Sequence, residues 1–300
     1  MTASADAELR DALSRDDLTP EVVQKLRNVR DVLDRDSQAT LESFFFIGDE
    51  PYATVSFGDV DTADLVVFVM HGIDTTLADL PGWADVSRRL CADTIRACVA
   101  RGTPRRVATI AWFAWDSGTH VTALATKHAT IGSARLAVDL DRVAVRNPTT
   151  RTTVIGYSYS STLLGELIAM NLAGEVHTAF SIAAAGVSHA ASASIAMSIS
   201  LGGLELHATE AESDGVAPLG RIAQHPVDPR DISGVIRYDS DGGPAPAIDG
   251  GTVEGLAVDG HASQTSTDDR GVEHPGYFDP RTQAYLYLVA RLADLATAPR

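Results

Sequence analysis

The segment Gly156-Tyr157-Ser158-Tyr159-Ser160 carries the sharpest chemical signal in the chain. It follows the β-rich run Thr152-Thr153-Val154-Ile155 and precedes the helical run Thr162-Leu163-Leu164-Gly165-Glu166-Leu167. A serine on a tight turn between strand and helix has its hydroxyl presented at the sheet edge, as a nucleophile requires. Small residues two before and two after the serine let strand and helix approach. Gly156 supplies the first, and Ser160 stands where glycine is commonest. As a bare pattern this spacing recurs by chance in serine-rich turns. The flanking strand and helix make Ser158 a candidate nucleophile.

A serine hydroxyl attacks well only when a base takes its proton. Six histidines lie downstream: His177, His189, His207, His225, His261 and His274. In strand–turn–helix serine enzymes the chain order is serine, acid, histidine, with the histidine ahead of a terminal helix. His274, in Glu273-His274-Pro275-Gly276-Tyr277, fits that placement best, and His261, in Asp259-Gly260-His261, is second. The acid that orients the imidazole should follow a strand between serine and base. Asp214, followed by Gly215 after the strand at 204–209, is the choice; Glu210 and Glu212 are rivals and Asp239 a weaker alternative. The developing oxyanion needs two N–H donors. Tyr159 supplies one, and Ile73, after the apolar run Leu65-Val66-Val67-Phe68-Val69-Met70 and His71-Gly72, supplies the other. Thr75 and Thr76 would line the pocket with Trp115, and His71 reads as architectural.

The elements that must position these groups are legible in the hydrophobic pattern. Residues 1–40 read as helical, with Thr19-Pro20 as an N-cap and first turn. Strands are expected at 40–47, 52–57, 65–70, 107–112, 152–157, 178–182, 204–209 and 235–238. The run at 65–70 is apolar throughout, as a strand buried on both faces must be. Helical spacing marks the stretch from Trp83 to Val99, then 124–143, 160–170 and 280–296, while 241–251 reads as an exposed loop. Strands alternating with helices imply a mostly parallel sheet covered on both sides, with ligands beyond the carboxyl ends of its strands.

Composition narrows the function classes. A formal net charge of −16 repels phosphate backbones and argues against nucleic-acid binding. Cys91 and Cys98, seven residues apart in a helical segment, are too distant for a disulfide within one straight helix. No basic and apolar leader is visible at the N-terminus, which favours the cytoplasm. Residues 176–204 are poor in charge, but their serines and glycines dilute them below what a membrane span needs. They read as buried strand, loop and packed helix, with a weak hint of an acyl-pocket wall. No phosphate loop, H-E-x-x-H or paired C-x-x-C appears, so neither cofactor nor metal is called for.

Taken together, these residues resemble an α/β-hydrolase family found mainly in actinobacteria, whose elbow reads Gly-His-Ser-Tyr-Gly-Ser. Gly156-Tyr157-Ser158-Tyr159-Ser160-Ser161 is similar except at Tyr157 and Ser160. Further likenesses are Gly72-Ile73-Asp74-Thr75-Thr76-Leu77, Ala111-Trp112-Phe113-Ala114-Trp115-Asp116, Asp214-Gly215-Val216 and His274-Pro275-Gly276-Tyr277. The resemblance runs from about Leu41 to Leu295. It implies an α/β-hydrolase fold over 41–300 with a helical extension at 1–40, and a Ser158–Asp214–His274 triad. The implied activity is a serine hydrolase acting on a small-molecule acyl ester, thioester or amide. A catalytically silent scaffold and an acyltransferase are the alternatives. The family supplies no substrate.

Overall fold

The computed structural model describes residues 2–174, 176–222 and 224–298. Two helices open the chain, α1 (Thr2–Leu13) and α2 (Pro20–Arg35). The expected cap at α2 is present: the Thr19 side chain accepts the Val22 N–H at 3.3 Å. Next come β1 (Ala39–Ile47), β2 (Glu50–Phe57), β3 (Leu65–Met70), α3 (Leu80–Ala100), β4 (Val107–Phe113) and α4 (Lys127–Arg146). The centre of the chain forms β5 (Arg151–Tyr157), α5 (Ser160–Ala169), β6 (Val176–Ile182), α6 (His189–Ser200) and β7 (Glu205–Thr209). The last third holds a short α7 (Ala217–Gly220), β8 (Ile236–Arg237), the ribbon β9 (Asp241–Pro246) with β10 (Thr252–Ala257), the ribbon β11 (Ser266–Thr267) with β12 (Glu273–His274), and α8 (Gln283–Thr297).

Eight strands form one sheet in the order β1-β2-β4-β3-β5-β6-β7-β8. From β4 to β8 every neighbouring pair is parallel, and β1 and β2 add an antiparallel edge. Alternate residues of β3 enter opposite cores, which is why its sequence is apolar without a break. Val67 and Val69 join the cluster beneath α2, α3 and α8, and Val66, Phe68 and Met70 join the one beneath α4, α5 and α6. Leu9 of α1 and Leu26 and Val29 of α2 share the first cluster with Leu41 of β1, so the opening helices are packed into the main body.

Two expectations change. Residues 241–251 are mostly strand and turn, because β9 pairs with β10 in a ribbon against α8. Their glycines and prolines obscured the alternation by which a strand is recognised. His274 lies in β12, paired with Ser266 of β11, and not in an open loop before α8.

Candidate active site

Three loops leave the carboxyl ends of parallel strands and meet: Gly72–Asp74 after β3, the turn after β5, and residues 210–216 after β7. In the turn after β5, Ser158 has φ +56°, a left-handed conformation that costs energy in any residue but glycine. The Ser158 N–H donates to Ile182 O at 2.9 Å and holds the turn in place. A Cβ on Gly156 would lie 3.0 Å from Ser160 O, so glycine is needed there for strand and helix to close up. Ser160 does more than fit. Its Oγ accepts the Tyr157 N–H at 2.8 Å and lies 3.1 Å from Met70 O, which staples the elbow to β3.

Ser158 Oγ is 2.9 Å from His261 Nε2, and His261 Nδ1 is 2.8 Å from Asp214 Oδ2. With Nδ1–H donating its hydrogen bond to the carboxylate, Nε2 keeps its lone pair toward the serine hydroxyl. Asp214 is firmly held. Its Oδ1 accepts the Val216 and Ala217 N–H groups at 3.0 Å each, and its Oδ2 accepts the Tyr277 hydroxyl at 2.9 Å. Burial pushes its pKa up, but the hydrogen bonds from His261, Ala217 and Tyr277 outweigh that, and it lies below the usual carboxylate value. The acid is therefore an anion at neutral pH.

The structure brings His261, and not the expected His274, to Ser158. His274 Nδ1 pairs with Asp259 Oδ2 at 2.6 Å, and its partners hold its pKa above the ordinary imidazole range, chiefly through that Asp259 hydrogen bond. His274 is part of the clasp on the loop that carries His261. Ser213 Oγ donates to Val258 O at 3.0 Å and accepts the Gly260 N–H at 2.9 Å, while the Tyr277 N–H donates to Ala262 O at 3.0 Å. Among the rival acids, Glu210 is paired with Arg221 and Arg230, and Glu212 and Asp239 are exposed.

Sequence reasoning missed Tyr157. Its hydroxyl donates to the His261 backbone carbonyl, and its ring lies 5.5 Å from the imidazole at 31°. The residue before Ser158 thus holds the main chain of the residue that faces the serine. Tyr157→Phe keeps the ring and removes the tether. We expect a kcat about tenfold lower, with KM and melting temperature little changed. An equal loss of stability and activity would make the role merely structural.

Gly72 passes so close to the turn after β5 that a Cβ on it would lie 3.1 Å from Ser158 Cβ. Among the described residues, the Tyr159 and Ile73 N–H groups have no hydrogen-bond acceptor, whereas the Asp74 and Thr75 N–H groups are taken by Gly118 O and Ser117 Oγ. An open cleft of about 520 Å³ lies over Ser158 and His261, lined by Ile73 and Thr75 among others. Thr76 and Trp115 do not reach it. They line an adjoining hollow of about 500 Å³ that shares Thr75. No residue from 176 to 204 lines the cleft, so the acyl-pocket hint is not met.

His71 sits behind the loop, buried between Phe113 and Trp115, with Nδ1 2.8 Å from Gly72 O. Burial lowers its pKa to about 4 from 6.5, so it folds as the neutral ring. A histidine whose folded pKa lies below its unfolded value stabilises the fold fully above about 6.5, and that contribution is lost as pH falls toward 4. We expect urea unfolding to show about 3 kcal/mol of acid destabilisation over that interval, flattened in His71→Asn. An unchanged pH profile in the variant would contradict this.

Among the described residues, no three His, Cys, Asp or Glu side chains gather in a metal-binding group, and no helix is long and apolar enough to cross a membrane. A mostly parallel sheet with a strained serine turn after β5 and loop-borne acid and histidine defines an α/β-hydrolase architecture. The chain belongs to the alpha/beta hydrolase family, whose model matches residues 48–210. Solved structures to which it is similar include an arylesterase, at 10% identity over 97% of both chains with a TM-score of 0.46. Another is a predicted CIB-like hydrolase from Thermoplasma acidophilum, at 14% identity over 74% of this chain and 89% of that one, TM-score 0.41. A third is the poly(3-hydroxybutyrate) depolymerase LpqC from Bordetella parapertussis, at 12% identity over 67% and 82%, TM-score 0.39. No curated protein matches the sequence.

Proposed function

We propose that the protein is a serine hydrolase that cleaves small-molecule acyl esters through a covalent acyl-enzyme. The observation that carries this is the continuous chain Ser158 Oγ–His261 Nε2 at 2.9 Å and His261 Nδ1–Asp214 Oδ2 at 2.8 Å, behind a serine at φ +56°. Ser158 attacks the acyl carbon while His261 Nε2 takes its proton. The Tyr159 and Ile73 N–H groups, unspent in the fold, receive the oxyanion. Collapse expels the alcohol, which takes the proton from His261. Water then attacks the acyl-serine, giving a proton to His261; as the acyl C–Oγ bond breaks, His261 returns that proton to Ser158 Oγ and the acid leaves. Asp214 stays an anion throughout and steadies the imidazolium.

The test is rapid mixing with p-nitrophenyl acetate. A burst of p-nitrophenol equal to the enzyme concentration, with an acetyl group mapped to Ser158 after acid quench, is the expected result. Steady release without a burst, unaltered in Ser158→Ala, would contradict the reading.

A further inference from the structure

We propose that the cleft selects esters of uncharged, polyhydroxylated alcohols, and that Gln264 is the residue that reads those hydroxyls. This rests on the Ser158–His261 assignment and deepens it. Because Nε2 of His261 protonates the departing oxygen, the alcohol must lie against His261 and its neighbours. Ser263 and Gln264 follow in the same clasped loop, and both line the cleft. Neither side chain has a hydrogen-bond partner among the described residues, so a donor, an acceptor and a hydroxyl are free to meet the alcohol. The Gln264 amide is not free to swing in every direction. It rests over Gly82 at the start of α3, where a Cβ would lie 2.5 Å from Nε2.

The start of α3 and the residue before it add Trp83 and Asp79 to the lining. Asp79 Oδ2 accepts the Thr76 N–H at 3.0 Å, which holds the carboxylate at that rim. No lysine or arginine lines the cleft, and His120, which does, is already paired with Asp74, so an anionic alcohol meets Asp79 with no arginine or lysine to offset it. An alkyl alcohol would strip water from the Gln264 amide and the Ser263 hydroxyl and return no hydrogen bond. An aromatic ring edged by an amide, a hydroxyl and a carboxylate acceptor suits a glycerol or sugar moiety.

The matched pair 2,3-dihydroxypropyl acetate and n-propyl acetate shares an acyl group and a carbon skeleton. Compared as kcat/KM, which carries the acylation step, and normalised to alkaline hydrolysis, the diol ester should be favoured about tenfold or more. The anionic carboxymethyl acetate should be the poorest. Gln264→Leu should bring the ratio near one. Gly82→Ala, which pushes the amide aside from a different residue, should do the same. Equal rates for the pair, a preference for the alkyl or anionic ester, or a ratio unmoved by both variants overturns the proposal. So does absence of ester turnover in protein whose Ser158 still takes a fluorophosphonate. Protein that takes no label fails instead at the hydrolase assignment.

Discussion

His261→Ala should lower kcat/KM for an activated ester by roughly four orders of magnitude, while His274→Ala stays within about threefold. Both histidines have carboxylate partners, and both precede α8, yet only one reaches the serine. His261 Nε2 lies 2.9 Å from Ser158 Oγ; His274 is bonded to Asp259 at the rim of the same loop. Without His261 the serine proton has no acceptor and the leaving alcohol no donor, so both halves of the reaction slow together. Without His274 the loop loses one exposed tie but keeps the Ser213, Tyr157 and Tyr277 contacts. Steady-state rates for the two variants, with circular dichroism to verify folding, decide the matter. A severe loss in His274→Ala beside a mild one in His261→Ala would reverse the assignment.

Asp214→Asn should reduce kcat by about 10⁴ with little change in KM, whereas Asp239→Asn stays within about twofold. An asparagine at 214 fills the same space. Its oxygen still suits the Val216 and Ala217 N–H groups that now bond Oδ1 at 3.0 Å. That orientation turns the amide NH₂ toward His261 Nδ1 and selects the tautomer whose proton sits on Nε2. The ring then faces Ser158 with a donor and cannot take its proton. Asp239 is exposed and outside the chain of contacts. A pH–rate profile alongside kcat separates this loss of the right tautomer from general damage. An indifferent Asp214→Asn would remove the acid from the account.

Much of this was open to reading in the chain itself, for physical reasons. β3 had to be apolar on both faces, and the β5–turn–α5 sequence needed Gly156 against Ser160, so the position of Ser158 followed from local constraints. Asp214 followed from the rule that ligand groups gather at the carboxyl ends of strands. The histidine did not. Three histidines, His225, His261 and His274, satisfied the order serine–acid–histidine, and the choice between the two nearest the last helix depended on how residues 258–282 fold back across Asp214. The clue was turn chemistry: Asp268 Oδ1 accepts the Arg270 and Val272 N–H groups, closing the β11–β12 ribbon. A ribbon there commits His274 to a strand and leaves His261 on the loop. Tyr157 was seen only as a departure from a family motif, because its bond to the His261 carbonyl joins residues far apart in sequence.

Fluorophosphonate labelling followed by intact mass and peptide mapping, with Ser158→Ala as control, tests the central claim most directly. A stoichiometric adduct on Ser158, lost in Ser158→Ala and sharply slowed in His261→Ala, is the predicted result. Well-folded protein that takes no adduct, or labels equally fast without His261, would contradict an activated serine at this site.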